Sequence, residues 1–579
     1  MNLRIAFLIF FISINLSTFA QRKYVKLPPN WYNLDLTKDG FFGISTEKAY
    51  TAFLKNKTPK SKVIVAVIDG GIETNHDDLK GIIWVNQKEI PGNGIDDDHN
   101  GYIDDIHGWN FIGSKNGNLA YDNLELVRIY RKYNPKYKST IKTTKLDSIG
   151  KEEYALYNKV TTEFGKKYDD ADQNFRVLSA IKKVLDSVAL VNKKIIPSLA
   201  DIENYKADNE MEEQVKKIIR SGSKDSGFVE FYKEISEAYR QYDVMLRYNL
   251  NPAYDQRKEL VGDDYENSKE RFYGNNDVKG PNAQHGTHVA GIIAANRNNS
   301  LGIAGVAANV FIMAIRVVPE GDERDKDVAN GIRYAVDNGA RIINMSFGKG
   351  FKWDKGIVDD AVKYAEAKNV LLVHAAGNDN QDVDQVENYP NKYYDSPEAQ
   401  AYYKKQKQLL KKNDLDEKPI PIAPRPYQGN YRIKPNRKLE IDTAKFDLPH
   451  AKNWIEVGAS SYRNDGDLKA SFSNYGKHKV DVFAPGFKIK STVPKSQYEE
   501  LDGTSMAAPI VSGMAAVILS NYPNLNAQQL REIIIKSVVK VTQKVKLKNE
   551  NTIKVPFSTL CGSGGIVNLY NALKLAEEY

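Results

Sequence analysis

Short apolar runs separated by helical segments constrain the fold of this chain more than any other feature. The first run, Val63–Ile68, contains no polar residue, which is typical of a strand buried on both faces of a parallel sheet. Further strands are predicted at 311–318, 340–345 and 370–375. Helices are predicted between them, at 325–338 and 355–368, and Gly339 is a common residue at the end of a helix. This alternation predicts an α/β fold with a doubly wound, mostly parallel sheet.

Two stretches interrupt this alternation, in a chain of 579 residues that is long enough for one large domain with insertions. Residues 121–270 hold 27 basic and 27 acidic residues but no His, Cys or Trp. Apolar spacings of four and three residues predict an amphipathic helix that ends before Pro197; its apolar positions are Val177, Ile181, Val184, Val188, Val191 and Ile195. A second helix is predicted at 228–246, so this stretch should form a helical hairpin or small bundle.

Residues 389–450, with 13 basic and 8 acidic residues, are interpreted as a long basic loop with one short helix.

The first twenty residues predict an export signal. Arg4 precedes an apolar stretch from Ile5 to Leu16, and Thr18 and Ala20 are the small residues of a cleavage site. A stretch of twelve residues is too short to cross a bilayer, which takes about 20, so we expect cleavage after Ala20 and no membrane span in the mature chain. The mature protein is therefore expected to be secreted or periplasmic. Its single cysteine, Cys561, leaves it without an internal disulfide and is interpreted as a buried apolar residue.

The overall composition argues against a nucleic-acid-binding protein. Hydrophobic residues make up 41% of the chain and charged residues 27%, which is ordinary for a globular protein. The net charge of +8 is not concentrated into long runs of Lys and Arg, so nothing in it indicates a nucleic-acid partner.

Three polar residues lie where a sheet of this kind forms its sites. Asp69 follows the first strand directly, His285 opens an Ala-rich helix, and Ser505 opens another. The carboxyl ends of the strands and the amino ends of the helices share one edge of an open α/β sheet. An acid, an imidazole and a hydroxyl at one edge are the parts of a nucleophilic triad. Their order along the chain differs from that of α/β-hydrolases and of chymotrypsin-type enzymes.

At these residues the sequence resembles the subtilisin-like serine peptidase family (subtilases). HGTHVAG at 285–291 and GTSMAAP at 503–509 are long, specific motifs, and INMSFG at 343–348 and AAGN at 375–378 match in the same order. The resemblance stops at the two insertions. It covers 63–113, 281–388 and 451–579, which are the three parts of the predicted catalytic core. The rest of the chain is divided into the predicted signal peptide (1–20), an N-terminal extension (21–62), the charged helical insertion (114–280) and the basic insertion (389–450).

The resemblance implies a role for each residue of the site. Ser505 would be the nucleophile, His285 the general base and then the general acid, and Asp69 would fix the tautomer of His285. Asn378 would donate its side-chain amide to the oxyanion, together with the backbone N–H of Ser505. No cofactor is implied for this chemistry. The residues expected to bind the substrate and line its pocket are Ser346, Phe347, Gly348, Ala376 and Gly377.

The residue after Asp69 and the histidine after His285 differ from or add to the triad pattern. Asp69 is followed by Gly70 and Gly71, whereas the family usually has Ser or Thr after this Asp, whose hydroxyl can donate a hydrogen bond to the carboxylate. We expect the loss of such a bond to tune the activity without abolishing it. His288, one turn beyond His285, is interpreted as a core histidine, because the Glu and the spacing of a zinc peptidase motif are absent.

A second functional motif is the acidic loop at 94–105, which is rich in Asp and Asn residues. Oxygen ligands for Ca²⁺ are predicted from Asp96, Asp98, Asn100, the Tyr102 carbonyl and Asp104, with Gly101 at the sharp turn. The twelfth position is His107 rather than the Glu of an EF-hand, so a polar Asx-turn loop is the alternative. Structural calcium is favoured, because an exported protein without disulfides gains stability from a metal and members of the family often bind calcium.

The sequence therefore predicts an exported serine endopeptidase that cleaves proteins or peptides through an acyl-enzyme intermediate. A catalytically inactive peptidase fold that binds partners through its insertions is the alternative. An esterase or lipase is disfavoured, because Ser505 lies in Gly-x-Ser-x-Ala rather than in a nucleophile elbow. Both insertions leave the predicted core close to the catalytic edge. They are expected either to restrict large substrates or recruit a partner there, or to project into solvent.

Overall fold

The computed structural model describes residues 27–139, 146–405, 443–547 and 553–579. The predicted signal peptide and residues 406–442 of the basic insertion lie outside the described residues. The chain divides into two compact units. We call residues 121–255 the helical unit, and residues 28–120 with 256–579 the core unit.

The strands of the core unit begin with β1, which includes the run that the sequence predicted. In chain order they are β1 (Val63–Asp69), β2 (Gly108–Asn110), β3 (Gly113–Ser114), β4 (Gly117–Asn118), β5 (Val310–Arg316), β6 (Ile342–Met345), β7 (Leu371–Ala375), β8 (Trp454–Ser460), β9 (Val482–Pro485), β10 (Ile489–Val493), β11 (Gln497–Leu501), β12 (Val539–Lys540), β13 (Lys544–Lys546), β14 (Lys554–Pro556) and β15 (Gly565–Ile566).

The helices fall into both units. Those of the core unit are α1 (Leu36–Asp39), α2 (Thr46–Lys48), α8 (Arg257–Leu260), α9 (Gln284–Ala294), α10 (Asp325–Asp337), α11 (Lys355–Ala367), α12 (Thr504–Asn521), α13 (Ala527–Lys536) and α14 (Leu569–Ala576). Those of the helical unit are α3 (Glu125–Tyr137), α4 (Ser148–Val191), α5 (Leu199–Asn204), α6 (Glu210–Ser226) and α7 (Phe228–Val244). Short 3-10 or π turns lie at Trp31–Asn33, Ala49–Phe53, Asp77–Leu79, Met245–Asn249, Thr443–Asp447 and Phe557–Thr559.

Among the described residues, nine strands form one sheet in the order β12–β15–β9–β8–β7–β6–β1–β5–β2. All neighbouring pairs are parallel except β12 with β15. The prediction of an α/β fold with a mostly parallel sheet is therefore confirmed. The chain builds β5 and β2 on one side of β1 and β6 to β9 on the other, so the strand order reverses at β1. Ligand sites of open α/β sheets form at such a reversal, outside the carboxyl ends of the strands.

Helix α12 is the apolar centre of the core unit. It contacts β1, β6, β7, β8 and β9 as well as α9. By length and composition alone it could cross a membrane, but 94% of its apolar window is buried inside the core, which is the pattern of a core helix. Its position brings the amino ends of α9 and α12 to the carboxyl edge of the sheet.

The helical unit has its own apolar core. Buried side chains of α4 pack against α6 and α7. The α4 side chains are Ile181, Val184, Leu185 and Val188, and they meet Val215 and Ile219 of α6 and Phe231 of α7. Helix α4 begins about thirty residues before the predicted apolar stripe, at Ser148, and ends at Val191. The prediction that the helix includes Ile195 is wrong: Lys193 has a left-handed backbone (φ 51°), which ends the helix and leaves Ile195 93% exposed.

The ends of the predicted helical insertion, 114–280, belong to the core unit. Ser114 donates its hydroxyl to the Leu260 carbonyl at 2.6 Å. Arg257 is buried between Asp263 and Asp327, with ion-pair distances of 2.9 and 2.7 Å. These contacts explain why residues 114–120 and 256–280 pack with the core unit, so that the separate helical unit is shorter than the predicted insertion.

Candidate active site

Asp69 and His285 form a hydrogen-bonded pair at the carboxyl end of β1. Asp69 is the last residue of β1, and His285 lies in the first turn of α9. The His285 Nδ1–H donates to the carboxylate, at 2.8 Å from Oδ1 and 2.9 Å from Oδ2. The Asp69 side chain is only 4% exposed, whereas the imidazole is 42% exposed. The other ring nitrogen, Nε2, is therefore left for chemistry.

The Asp69 carboxylate has a second donor, which the sequence did not reveal. The backbone N–H of Gly70 donates to Oδ1 at 2.7 Å. Arg316, which pairs with Asp69 across β1 and β5, donates its Nε–H to the Gly70 carbonyl at 2.8 Å and so holds this turn in place. A backbone donor thus bonds the carboxylate although no Ser or Thr hydroxyl follows Asp69.

The environment of His285 changes its affinity for a proton. Two opposing effects act on the pKa of His285. Partial burial of the ring lowers the pKa, whereas the negative charge of Asp69 and its hydrogen bond to the ring raise it. The effects of Asp69 together outweigh that of burial, so the pKa lies above its ordinary value. The imidazolium form is the one that Asp69 stabilises. An imidazole in this position is a stronger base than a free one.

Ser505 lies in the first turn of α12, directly after Thr504. Its hydroxyl donates to the Ser346 carbonyl at 3.1 Å, and the Ser346 hydroxyl donates in turn to the Ser505 carbonyl at 2.9 Å. Within the described residues the Ser505 hydroxyl bonds Ser346 rather than His285. Catalytic hydrogen bonds are often formed only when a substrate is bound, so this resting geometry does not exclude a nucleophile.

The Asn378 side chain has a fixed orientation beside α12. It follows β7, and its Oδ1 accepts from both the backbone N–H and the hydroxyl of Thr504, at 2.9 Å each. The Thr504 hydroxyl also accepts from the Gly377 N–H at 3.0 Å. Because Thr504 occupies the oxygen of the amide, the Asn378 Nδ2–H₂ group is the part that is left to donate to a ligand near Ser505.

The five residues predicted to bind substrate lie at the ends of adjacent strands. Ser346, Phe347 and Gly348 follow β6, whereas Ala376 and Gly377 follow β7, and these strands are neighbours in the sheet. The Asn388 side chain, which the sequence analysis did not single out, lies between the two segments. Its Nδ2 donates to the Ala376 carbonyl at 3.5 Å, and its Oδ1 lies 3.0 Å from where a Cβ on Gly348 would be.

Two other histidines, in or next to the HGTHVAG and AAGN motifs, are structural. His288 is fully buried, and its Nε2 is 3.0 Å from the Glu499 carbonyl. Burial lowers the pKa of His288 to about 3, so this imidazole stays neutral. His374 is also fully buried, with Nδ1 3.0 Å from both carboxylate oxygens of Glu456 on the neighbouring strand.

The acidic loop assembles a different set of oxygens from the predicted one. Carboxylate oxygens of Asp96, Asp98 and Glu89 lie within 4.8 Å of one another. Asp104 instead accepts from the backbone N–H groups of Gly92 and Gly94, at 2.8 and 2.9 Å.

The Asn100 side chain is also used inside the loop, where its Oδ1 accepts from the Tyr102 N–H at 2.8 Å. Three clustered carboxylates have the chemistry that a hard divalent cation prefers. The donor set fits calcium at Asp96, Asp98 and Glu89, and sequence reasoning missed Glu89 because it precedes the motif. These three carboxylates also accept backbone N–H groups of the loop, as Asp104 does. The predicted ligands Asn100, Asp104 and the Tyr102 carbonyl stay predictions.

Comparison with known proteins gives matches over most of the chain. The profile of the Subtilase family (peptidase S8) matches residues 60–555. Thermitase from Thermoactinomyces vulgaris is 36% identical over 259 residues, which are 45% of this chain and 68% of that protein. Subtilisin DY from Bacillus licheniformis is 33% identical over 249 residues, which are 43% of this chain and 67% of that protein. Thermophilic serine proteinase from Bacillus sp. (strain AK1) is 32% identical over 259 residues, 45% of this chain and about half, 47%, of that protein.

The close approach of α9 to β1 gives a testable prediction at Gly286. A Cβ there would lie 2.3 Å from the Gly71 carbonyl oxygen and 3.2 Å from the Asp69 Cβ. We expect Gly286→Ala to lower the free energy of unfolding by about 1–3 kcal/mol, although alanine has the higher helix propensity. Thermal unfolding in a Ser505→Ala background measures this effect without autolysis. Gly350→Ala is the control, since nothing lies within 4 Å of its Cβ position, and equal melting temperatures for the two variants would contradict the close approach.

Proposed function

This chain belongs to the subtilase family, and we propose that it is a serine endopeptidase that hydrolyses peptide bonds in proteins. One observation carries the proposal: the Asp69–His285 pair lies at the carboxyl end of β1, at the same edge of the sheet as the first turn of α12, which contains Ser505. The fixed Asn378 amide beside Thr504 supports it further. The triad is the part of the site that the chemistry requires, and each of its members lies on a rigid element.

The proposed reaction uses only side chains and backbone groups of this chain. A substrate strand would lie along Ser346–Gly348, and the Ser505 hydroxyl would turn from the Ser346 carbonyl towards His285 Nε2. His285 would take the hydroxyl proton as the oxygen attacks the substrate carbonyl, while Asp69 stabilises the imidazolium. The oxyanion would accept hydrogen bonds from Asn378 and from the Ser505 N–H at the positive end of α12.

His285 would then give its proton to the leaving amine, which leaves an acyl group on Ser505. Water would attack this ester with the same base and the same oxyanion donors, and the acid product would leave with the hydroxyl restored. Export of the enzyme is part of the proposal and rests on the sequence of residues 1–20. Protein or peptide substrates follow from the reaction class.

Labelling by a fluorophosphonate probe tests the nucleophile. We expect the parent protein to be labelled at Ser505, and Ser505→Ala to lose labelling and about 10⁶-fold in kcat, the loss seen when a triad nucleophile is removed. Ser471→Ala, at an exposed serine of the same unit, is the control and should keep full activity. Label on another residue of the parent, or none, would reject the proposal in favour of an inactive fold.

The pH dependence of the activity tests the roles of His285 and Asp69. Activity should rise with pH as His285 loses its proton, with a midpoint above about 6.5, because Asp69 raises the pKa of His285. In Asp69→Asn only the effect of burial remains, so the midpoint should move to lower pH while kcat falls about 10⁴-fold. The profile of kcat/KM from pH 5 to 9 measures both changes. Asp77→Asn, at an exposed carboxylate, is the control, and an unchanged midpoint in Asp69→Asn would argue against the pair.

We also propose that the acidic loop binds a structural calcium ion through Glu89, Asp96 and Asp98. A ligand that binds only the folded state stabilises it by mass action, so calcium should raise the melting temperature of the parent over its value in EDTA. Asp96→Ala with Asp98→Ala should remove that increase. In EDTA it should lower the melting temperature as well, because both carboxylates accept backbone N–H groups of the loop. Asp97→Ala, at an acid of the same loop outside the cluster, should keep it. Equal melting temperatures of the parent with and without calcium would contradict the site.

A further inference from the structure

Asn474 makes four hydrogen bonds to the loop that carries Asn378. Its backbone N–H donates to the Gly377 carbonyl at 2.9 Å, and its Nδ2 donates to the Ala376 carbonyl at 2.8 Å. Its Oδ1 accepts from the N–H groups of Asp379 and Gln381, at 3.1 and 2.8 Å. Asn474 is only 3% exposed, so these bonds replace all contact of its amide with water.

These four bonds lie on both sides of Asn378. Two hold the carbonyls just before it, and two hold the N–H groups just after it. Gly377 adopts a left-handed backbone (φ 100°), and a Cβ on it would lie 2.4 Å from the Asn474 Nδ2. The Asn474 amide thus occupies the space that a side chain at 377 would need, and the turn that presents Asn378 depends on it.

The opposite side of the same turn is held by α12. Thr504 bonds the Asn378 Oδ1 and the Gly377 N–H, as described above. Asn474 is itself anchored to the sheet, because the Ser473 hydroxyl donates to the Asn474 carbonyl and accepts from the Ala459 N–H of β8, both at 2.8 Å. The loop is therefore fixed between α12 and β8, with Asn378 in the middle.

We propose that Asn474 is a positioning residue for the oxyanion donor, acting through Asn378. This inference rests on the proposed function, since only a reaction with an oxyanion gives the position of Asn378 its importance. A hydrogen-bond donor stabilises a transition state to the extent that it is already in place when charge develops. Of the common side chains of this size only asparagine offers both the donor for Ala376 and the acceptor for two N–H groups.

The test compares Asn474→Ala with a matched control, Asn453→Ala, in the full chain. Asn453 is also buried and donates its Nδ2 to the Val370 carbonyl at 2.7 Å, close to the start of β7 and away from Asn378. We expect Asn474→Ala to lower kcat by about 10-fold or more with KM within about threefold of the parent. It should weaken binding of a peptide aldehyde, whose adduct carries the tetrahedral oxygen, by a similar factor. Asn453→Ala should lower the melting temperature while kcat stays within about threefold.

A double-mutant cycle with Asn378→Ala shows whether Asn474 acts through Asn378. Once Asn378 is removed, Asn474→Ala should change kcat by less than about threefold. The same loss in both backgrounds, a parental kcat in Asn474→Ala, or an equal kcat loss in Asn453→Ala would overturn the inference.

The isosteric Asn474→Asp serves if the alanine variant does not fold. It keeps the acceptor for two N–H groups but repels the Ala376 carbonyl, so a lower kcat is expected and a parental kcat would overturn the inference. Failure of the proposed function is distinguishable, because the parent would then neither hydrolyse peptides nor react with a fluorophosphonate at Ser505.

Discussion

The parallel pairing of β1 between β5 and β6 is the interaction on which the candidate site depends. It ends β1 with Asp69 beside Arg316, and Arg316 holds the Gly70 carbonyl of the following turn. The same pairing places β6 and then β7 next along the sheet, so that the segments after these strands meet at one edge. The strands β9, β8, β7, β6, β1, β5 and β2 are neighbours in this order and all run in one direction. Their carboxyl ends therefore cannot be separated without breaking hydrogen bonds between the strands.

A series of hydrogen bonds between buried polar groups crosses the apolar core and ends at Ser505. The Ser512 hydroxyl in α12 donates to Asn344 Oδ1, and Asn344 Nδ2 donates to the Ser346 hydroxyl, at 2.9 Å each. That hydroxyl donates to the Ser505 carbonyl, so the first turn of α12 is tied to β6. Buried polar groups make a core more rigid when each of them has a hydrogen-bond partner. Here these bonds restrict the movement of Ser505, the residue that the proposed reaction needs in a defined position.

The sequence predicted those parts of the fold and site that are formed by residues close together along the chain. The run Val63–Ile68 and the motifs around His285 and Ser505 each carry their own signal, because a strand or a helix start is a local event. Asn474 and Glu89 carried none, since each joins the site through contacts to backbone groups or side chains that only folding brings near. The start of α4 was missed for another reason: residues 148–176 lack the narrow apolar stripe that marks 177–191. The local signal at the start is Asp147, whose side chain caps the helix by accepting from the Gly150 N–H.

The resting hydrogen bond of Ser505 bears on the choice between an enzyme and an inactive scaffold. For attack the hydroxyl must leave the Ser346 carbonyl and bond His285, so one neutral hydrogen bond is exchanged for another. A typical bond contributes only about 0.5–1.5 kcal/mol net, and the exchange returns most of it. Since 1.36 kcal/mol corresponds to a factor of ten in rate, this rotation costs at most about tenfold, against the 10⁶-fold or more that enzymes supply. A Ser505 that rests on Ser346 is therefore no argument for an inactive fold, and the assembled Asp69–His285 pair and the fixed Asn378 amide favour the enzyme.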